Sequence, residues 1–326
     1  MPRAVVAGAS GFIGAAVCAT LVEDGFEVVR IGRREAITWS DPTLIAAAVD
    51  GAAVVVNLAG KSVNCRYTDR NRAKILRSRV ETTAALRRAI AGAENPPRVW
   101  LNASTATIYA HAMDRPHTDA DGRIGEGFSV DVARNWEREF FEGELPRTRR
   151  VALRMAIVLG DGPATNLLLT LARWGLGGAQ HDGPWFPHRR YRGIGADPSG
   201  PEIGPPTYRT KGRQKFSWIH LDDVCGAIRF LLERDDIHGP VNLSSPQPSD
   251  NARLMLTLRR AVGVPFGLPS YRWMLEPAAW ALRTEPELIL KSRWVLPGVL
   301  LNAGYTFSHA DLVDAVDAVL AQKTRG

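Results

Sequence analysis

Three glycines near the amino terminus constrain the fold of this chain more than any other feature. Gly8, Gly11 and Gly14 follow a short apolar run at residues 4–7 and lead directly into a helical pattern that starts at Phe12. A glycine turn between a strand and a helix is the context in which this spacing binds a dinucleotide. The backbone N–H groups and the dipole at the start of such a helix attract phosphates. The opening residues therefore predict a dinucleotide-binding unit.

Each glycine of this turn has its own predicted role. Gly8 permits a tight turn, Gly11 lets the backbone approach the pyrophosphate, and Gly14 lets the helix lie close to the strand. The residues of the turn that we expect to bind the cofactor are Gly8, Ser10, Gly11, Phe12, Ile13 and Gly14. The motif is a weak signal when it stands alone, and here the preceding strand and the following helix support it.

The end of the next predicted strand indicates which dinucleotide is bound. Gly32, Arg33 and Arg34 stand where an NAD-binding protein usually carries an acidic residue for the ribose 2′-hydroxyl. Two guanidinium groups suit a 2′-phosphate instead, because their planar N–H donors form charge-assisted hydrogen bonds with phosphate oxygens. We therefore expect NADP(H) as the cofactor. The alternative is a pair of solvated loop arginines, and the neighbouring Glu35 keeps that alternative open.

The first half of the chain alternates short β-branched apolar runs with longer helical patterns. Such alternation is typical of parallel strands joined by right-handed helical crossovers. The predicted strands cover residues 4–7, 27–31, 53–57, 99–103 and 151–155, and the predicted helices cover residues 12–24, 43–49, 69–91 and 129–144. We expect an α/β fold with a Rossmann-type doubly wound parallel sheet, followed by a smaller, mainly helical carboxy-terminal substrate region.

The alternation of strand and helix patterns ends near residue 160, and we divide the chain there. Residues 1–160 are predicted to form the NADP(H)-binding Rossmann domain, residues 161–264 the rest of its core with substrate-side elements, and residues 265–326 a small helical domain. Within the middle part, residues 179–211 contain six prolines and five glycines and show no periodicity. We expect a long, mostly solvated loop whose deletion leaves the fold nearly unchanged. It is either a tolerated surface insertion or a flap that orders when a ligand binds.

Composition and charge argue against several classes of protein. The net charge of +7 is spread along the chain without a run of five like charges, which argues against a nucleic-acid-binding surface. The cysteines, Cys18, Cys65 and Cys225, match neither a disulfide framework nor a zinc site, so we expect a cytoplasmic protein. The uncharged stretch 4–22 contains the glycine turn, and a buried strand and helix explain it better than a membrane span.

Several motifs together resemble a known family. They are the glycine turn at residues 8–14, the strand end Asn57-Leu58-Ala59-Gly60, Trp218-Ile219-His220-Leu221-Asp222-Asp223 and Gly239-Pro240-Val241-Asn242. With them the chain resembles the epimerase-like atypical branch of the extended short-chain dehydrogenases/reductases. The stretch from Leu288 to Phe307 resembles the small domain of unknown function that ends members of that branch. The resemblance covers nearly the whole chain except residues 179–211.

The resemblance implies NADP(H) on a Rossmann domain and a set of residues along it. The further residues that it implies for cofactor binding are Asn57, Leu58, Ala59, Gly60, Lys74, Arg79, Ala103, Ser104 and Arg154. Lys74 and Arg79 lie on the basic helix that follows the strand ending at Asn57, where a cation is well placed for an anion. A solvated helix face is the alternative interpretation for either residue.

The catalytic pair of the typical enzymes in this family is absent. Those enzymes carry a tyrosine and, four residues later, a lysine that lowers the pKa of the phenol so that it can exchange a proton with the substrate. None of the six tyrosines of this chain is followed by lysine at that spacing, and the matching helix positions hold Ser129 and Ala133. Members of this branch commonly lack the pair, so its absence describes the branch.

Candidates for the chemistry follow the strand predicted near residue 99. Thr105 matches the family position that offers a hydroxyl to the substrate carbonyl, and Tyr109 can supply a phenol from the same loop. Ser104 is an alternative to Thr105. All of these hydroxyls can instead satisfy backbone groups at the strand end.

Two groups of histidines and aspartates have the composition of a metal site. The first, in one loop, consists of His111, Asp114, His117, Asp119 and Asp121, and we interpret it as a solvated loop. The second is His220 with Asp222 and Asp223, where we expect the aspartates to cap the start of a helix. We therefore expect no metal.

Two functions stay open on these residues. The first is an NADP(H)-binding oxidoreductase or epimerase-like enzyme that moves hydride between nicotinamide and a carbonyl or hydroxyl carbon of a small molecule. The second is a non-catalytic NADP(H) sensor or scaffold protein. The missing tyrosine and lysine leave both open. For partners we expect a small-molecule substrate and a second copy in a homodimer, with neither nucleic acid nor a membrane.

Overall fold

The computed structural model describes residues 1–200, 207–281 and 285–325 and contains a central sheet of six strands. The strands of the described chain are β1 (Arg3–Ala7), β2 (Glu27–Ile31), β3 (Val54–Asn57), β4 (Val99–Thr105), β5 (Arg149–Met155), β6 (Ile157–Leu159), β7 (Gln180–His181), β8 (Lys215–Phe216), β9 (Trp218–His220), β10 (Gly239–Leu243), β11 (Ser249–Asp250) and β12 (Ser270–Tyr271). The sheet has the order β10-β5-β4-β3-β1-β2, and all neighbouring strands in it are parallel. This is the predicted doubly wound sheet.

Helices cover both faces of the sheet. The helices of the described chain are α1 (Phe12–Glu23), α2 (Pro42–Val49), α3 (Asp69–Gly92), α4 (Phe128–Phe141), α5 (Pro163–Arg173), α6 (Leu221–Glu233), α7 (Asn251–Ala261), α8 (Arg272–Ala281), α9 (Glu287–Leu290), α10 (Gly298–Asn302) and α11 (Leu312–Arg325). The first three agree with the predicted helices to within one residue at each end. Within the described ranges, no helix is both long and apolar enough to cross a membrane.

The sheet separates two hydrophobic cores. Successive side chains of a strand point to opposite faces, so a strand buried on both sides carries a continuous apolar run. Val6 and Val56 pack in one core with residues of α1 and α6. Val5 and Val55 pack in the other core with residues of α2 and α3. The continuous apolar runs of β1 and β3 therefore place these strands at the centre of the protein.

The order of the strands reverses between β1 and β3. In open α/β sheets a crevice forms at this reversal, outside the carboxyl ends of the strands, and ligands bind there. Gly8 follows β1 directly, and Leu58, which follows β3, donates its backbone N–H to the carbonyl oxygen of Ala7 at 2.8 Å. Thr105 is the last residue of β4. The topology thus brings the glycine turn and the candidate hydroxyl to the same edge of the sheet.

The described part of the insertion, residues 179–200 and 207–211, has many exposed residues, as the prediction of a solvated loop requires, but buried hydrogen bonds anchor it to the rest of the protein, which the prediction did not include. It is nearly free of regular structure, as its prolines and glycines predict: β7 and a 3-10 helix at Arg189–Tyr191 are short. The buried carboxylate of Asp131 in α4 accepts hydrogen bonds from the backbone N–H of Ile194 at 2.9 Å and of Ser199 at 2.8 Å. An irregular backbone can therefore be held by side chains of the core.

A second anchor joins the insertion to α8. The buried Tyr191 accepts a hydrogen bond from Arg272 at 3.1 Å and donates one to Glu276 at 3.1 Å. Arg272 also forms an ion pair with Asp182 at 2.9 Å, with side chains that are 4% and 0% exposed. Deleting residues 179–211 would leave buried charges such as Arg272 without these partners. We therefore expect deletion to destabilise the protein, contrary to the expectation from the sequence.

Hydrogen exchange tests this packing in the protein without ligand. The amide protons of Ile194 and Ser199 should exchange slowly, because both are donated to the carboxylate of Asp131. Asp131→Ala should accelerate both exchange rates by roughly ten- to a hundredfold, the equivalent of a hydrogen bond to a charged group. Amides of β1 serve as the control and should not change. Fast exchange at both positions in the unaltered protein would contradict the packed insertion.

Candidate functional site

The glycine turn between β1 and α1 leaves no room for a side chain at Gly8 or at Gly14. Gly8 has a φ of 81°, in the left-handed region that favours glycine. A Cβ atom at Gly8 would lie 2.7 Å from the carbonyl carbon of Leu58, and one at Gly14 would lie 2.2 Å from the carbonyl oxygen of Gly8. The predicted roles of Gly8 in the turn and of Gly14 in close packing are confirmed. The role of Gly11 toward a pyrophosphate stays a prediction.

The first turn of α1 faces the crevice with its backbone N–H groups uncapped by any described side chain. Ser10 and Gly11 are exposed, and Phe12 and Ile13 are half-buried. The ring of Phe12 packs closely on Gly160, where a Cβ would lie 2.7 Å from the ring. A helix start of this kind, with free N–H groups and a positive dipole end, fits the diphosphate of a dinucleotide.

Asn57 supports the crevice from beneath rather than lining it. The side chain is 0% exposed and donates to Asn102 at 2.7 Å and to Thr83 at 3.2 Å. Its carbonyl oxygen accepts a hydrogen bond from the backbone N–H of Ala59 at 3.1 Å. Asn57 therefore holds the backbone of the segment that follows β3. That Leu58, Ala59 and Gly60 contact the cofactor stays a prediction from the resemblance.

Arg79 and Ser78 of α3 hold the next residue of the same loop. Arg79 donates to the carbonyl oxygen of Lys61 at 3.0 Å, and the Ser78 hydroxyl accepts the Lys61 backbone N–H at 2.9 Å. Burial lowers the pKa of Arg79 to about 10. A Cβ atom at Gly60 would lie only 3.2 Å from the guanidinium carbon of Arg79. The glycine at this position therefore leaves room for the Arg79 side chain. Lys74, one turn earlier, is exposed.

Arg33 and Arg34 stand exposed beyond the end of β2. Neither side chain forms an ion pair or a hydrogen bond with a described residue, so their donors are available to a ligand. Gly32 is buried, and its N–H donates to the carbonyl oxygen of Ile37 at 3.0 Å, which fixes the turn that presents both arginines. Their position suits a phosphate group beside the first turn of α1.

Thr105 ends β4 with a half-buried hydroxyl. The hydroxyl accepts the backbone N–H of Thr107 at 3.1 Å and donates its own proton to the Thr107 hydroxyl at 3.0 Å. It thereby caps the short 3-10 helix at Ala106–Ile108. The backbone role considered from the sequence is present, and the partial exposure leaves the hydroxyl able to reach a substrate.

Tyr109, the second candidate, is fully buried in a polar network. Its hydroxyl donates to Asn242 at 2.7 Å and accepts from Arg154 at 2.9 Å. Burial raises the pKa of Tyr109, while the nearby charge of Arg154 opposes that rise. The phenol is 0% exposed. We therefore assign Tyr109 to this network rather than to contact with a substrate, a correction to its proposed catalytic role.

Glu137 of α4 joins the same network and was not found from the sequence. Arg154 binds it with two parallel hydrogen bonds, at 2.8 Å and 2.7 Å, and the Ser104 hydroxyl donates to it at 2.5 Å. Burial alone would lower the pKa of Arg154, and the hydrogen bonds and charge of Glu137 raise it above its ordinary value. Ser104 and Arg154, both expected beside the cofactor, thus have buried partners within the protein.

Comparison with known proteins decides the family. Residues 4–125 match the NAD dependent epimerase/dehydratase family, and residues 273–319 match a domain of unknown function. Epimerase family protein SDR39U1 of Bos taurus is 30% identical over 332 residues, which cover 98% of this chain and 100% of that protein. The chain belongs to this epimerase family. Epimerase family protein YfhF of Bacillus subtilis is 28% identical, with 97% of each chain covered.

A solved structure of an epimerase-family protein has the same architecture. The crystal structure of human SDR39U1 with NADPH superposes with a TM-score of 0.80 at 27% identity, covering 98% of this chain and 99% of that one. The predicted resemblance to the epimerase-like branch and the predicted α/β fold are both confirmed. The carboxy-terminal match also confirms the resemblance of this segment to a domain of unknown function.

In this epimerase-family chain, a phenol from another segment lies beside the position of the absent catalytic tyrosine. Ser129, which matches that position in α4, directly follows Phe128 in the chain. The ring of Tyr67 packs edge-on against Phe128 at 4.6 Å between centroids. Burial raises the pKa of Tyr67, so the phenol stays protonated. Tyr67 precedes α3, and no sequence spacing relates it to Ser129.

The histidine group at the start of α6 is arranged differently from the prediction. His220, not an aspartate, caps the helix: its Nδ1 accepts the backbone N–H of Asp222 at 3.2 Å. Asp223 instead accepts the backbone N–H of Ser308 at 2.7 Å. His309 joins His220 and Asp222, and the potential ligand atoms of these three lie within 4.8 Å of one another. The Nδ1 of His220 serves the cap, its Nε2 is buried without a hydrogen-bond partner among the described residues, and the absence of a metal here stays a prediction.

Proposed function

We propose that this protein binds NADP(H) in the crevice at the carboxyl ends of β1, β3 and β4 and exchanges hydride with a carbonyl or hydroxyl carbon of a small molecule. The observation that carries the proposal is the glycine turn, which a Cβ at Gly8 or Gly14 would fill. The uncapped start of α1 and the free Arg33 and Arg34 support it. Human SDR39U1, the relative solved with NADPH, agrees with this choice of cofactor.

Different residues around that crevice would hold different parts of the cofactor and the substrate. Bound NADP(H) would supply the hydride chemistry. The first turn of α1 would hold the diphosphate, and Arg33 with Arg34 would hold the 2′-phosphate. The half-buried hydroxyl of Thr105 would turn its proton from the Thr107 hydroxyl to the substrate oxygen and so orient the substrate.

Turnover is tested by mixing the purified protein and NADPH with a library of small carbonyl compounds and following the nicotinamide absorbance. With a compound that is turned over, Thr105→Val should lower kcat/KM by roughly ten- to a hundredfold and leave the Kd of NADPH unchanged, because the substrate hydrogen bond is lost. The variant also loses the cap of the 3-10 helix at Ala106–Ile108, and urea unfolding measures that loss separately. Thr170→Val, in α5 with its hydroxyl bonded to Asn166, is the matched control. Full activity of Thr105→Val would remove Thr105 from the proposal.

Cofactor choice gives a separate test by titration calorimetry. Arg33→Ala should weaken NADPH binding by roughly ten- to a hundredfold and leave NADH binding unchanged, because one charge-assisted contact to the 2′-phosphate is lost. Arg98→Ala, an exposed arginine before β4 at the opposite edge of the sheet, controls for the loss of one positive charge. Equal affinities for NADH and NADPH in the unaltered protein would contradict the NADP(H) preference.

A cofactor-binding sensor or scaffold is the second candidate function. Ser129 and Ala133 in place of the tyrosine and lysine, together with the buried Tyr109, favour it. The same library experiment separates the two functions. Tight NADPH binding without oxidation by any compound would support the sensor, whereas reproducible oxidation by one compound would support the enzyme.

A further inference from the structure

Two cationic side chains lie buried close together in the segment between α9 and α10. Lys291 and Arg293 are 4% and 7% exposed. Their segment is fixed on two sides: the backbone N–H of Ser292 donates to the Nδ1 of His111 at 3.0 Å, and that of Arg293 donates to the carbonyl oxygen of Lys215 at 2.9 Å. Like charges held together away from water are costly, and such arrangements are typical of functional sites.

Lys291 points to the end of β4. Its ammonium donates to the carbonyl oxygen of Thr107 at 3.4 Å, and the hydroxyl of Thr107 in turn hydrogen-bonds that of Thr105. Among the residues that the structure describes, no carboxylate lies within 4.0 Å of this ammonium. An ammonium has three donors, and one long hydrogen bond leaves two of them for a ligand.

The charged and titratable groups around Lys291 come from several segments. Burial and the charge of Arg293 lower the pKa of Lys291 to about 8, against the opposing charges of Glu287 and Glu126. Burial and the two cations lower the pKa of His111 to about 4. His111 is therefore neutral near pH 7, and because its Nδ1 accepts a hydrogen bond, its Nε2 carries the proton and is a donor.

The insertion covers this group of donors. The ring of Tyr208 stacks on the ring of His111 with 4.1 Å between centroids. Burial raises the pKa of Tyr208, so its hydroxyl is neutral as well. The surroundings of Lys291 thus combine two positive charges, a neutral imidazole donor and an aromatic cover, beside the hydroxyl of Thr105.

We propose that Lys291, with Arg293 and His111, binds an anionic group of the substrate, a carboxylate or a phosphate, next to Thr105. Charge-assisted hydrogen bonds from a buried ammonium and a guanidinium suit such a group. The assignment of the anion to the substrate rests on the function proposed above. Binding of the anion itself does not require turnover, and it is measured without a reaction.

Calorimetric titration of the protein with malonate and with inorganic phosphate tests the site, at constant ionic strength and with and without NADPH. Malonamide, the neutral analogue of malonate, is the ligand control and should not bind. Stronger binding of malonate than of phosphate would identify a carboxylate site, and the reverse would identify a phosphate site. Lys291→Met should weaken binding by roughly ten- to a hundredfold, and Lys323→Met in α11 should leave it unchanged.

The pH dependence gives a readout that a merely structural lysine would not produce. In the unaltered protein, malonate affinity should fall as the pH rises above about 8, because Lys291 loses its proton there. Lys291→Arg keeps its charge, so its affinity should not fall over that range. Equal malonate binding by Lys291→Met and the unaltered protein, or no binding of either anion, would overturn the proposal. Malonate binding that depends on Lys291 would stand even if no compound in the library is turned over.

Discussion

Replacing Gly14 with alanine is expected to weaken NADPH binding by roughly tenfold or more and to lower the free energy of unfolding by about 1–3 kcal/mol. The added Cβ would lie 2.2 Å from the carbonyl oxygen of Gly8, which is backbone and has no rotamer to change. Helix α1 would have to move away from β1. The first turn of α1, which we propose holds the diphosphate, would move with it.

Gly92→Ala is the matched control for this experiment. Gly92 is the last residue of α3, and a Cβ there would meet no described atom within 4 Å. The change should leave NADPH binding unchanged and stabilise the protein slightly, by about 0.4–1 kcal/mol. Calorimetry measures the affinity and urea unfolding measures the stability. Normal NADPH affinity in Gly14→Ala would show that the cofactor does not depend on this turn.

Replacing Arg154 with methionine should lower the free energy of unfolding by about 3–5 kcal/mol, because it leaves the buried carboxylate of Glu137 without its cation. The two side chains are 9% and 10% exposed, so water cannot replace the lost partner. The exposed pair Arg115–Asp121, with side chains 57% and 56% exposed, provides the control. Arg115→Met should change stability by about 1 kcal/mol or less.

The double variant Arg154→Met with Glu137→Leu tests whether the stability lost in Arg154→Met comes from the unpaired charge of Glu137. When both charges are removed, much of the lost stability should return, since a buried pair is often replaced by apolar side chains at little cost. Urea unfolding of the four proteins in this cycle gives the coupling between the two residues. If the double variant is less stable than Arg154→Met alone, Glu137 stabilises the protein through its hydrogen bond with Ser104 instead of through Arg154.

Local patterns were sufficient to predict the sheet and the glycine turn. The valine runs of β1 and β3 and the glycines at positions 8 and 14 each act within a few residues, so their roles follow from the sequence. Lys291 could not be found in this way. It reaches Thr107, which lies 184 residues earlier, and only the folded chain brings the two together. The same is true of Glu137, whose partner Arg154 is on another element.

The insertion shows where the reasoning from sequence was incomplete. Prolines and glycines do predict an irregular backbone, and that part of the prediction agrees with the structure. An irregular backbone is not necessarily a solvated one, because Asp131 and Arg72 satisfy its polar groups in place of a neighbouring strand. The sequence carries no signal for this, since an aspartate and an arginine on helices are ordinarily exposed.

The segment that carries Lys291 has a consequence for how the protein is made. Its backbone pairs with two earlier segments of the chain: Arg293 pairs with Phe216, and Val295 pairs with His117. Residues 291–295 leave the ribosome after the glycine turn and all six strands of the sheet, because they follow them in the chain. A nascent chain can therefore assemble its cofactor-binding half first, whereas the surroundings of Thr105 become complete only after residues 291–295 have emerged.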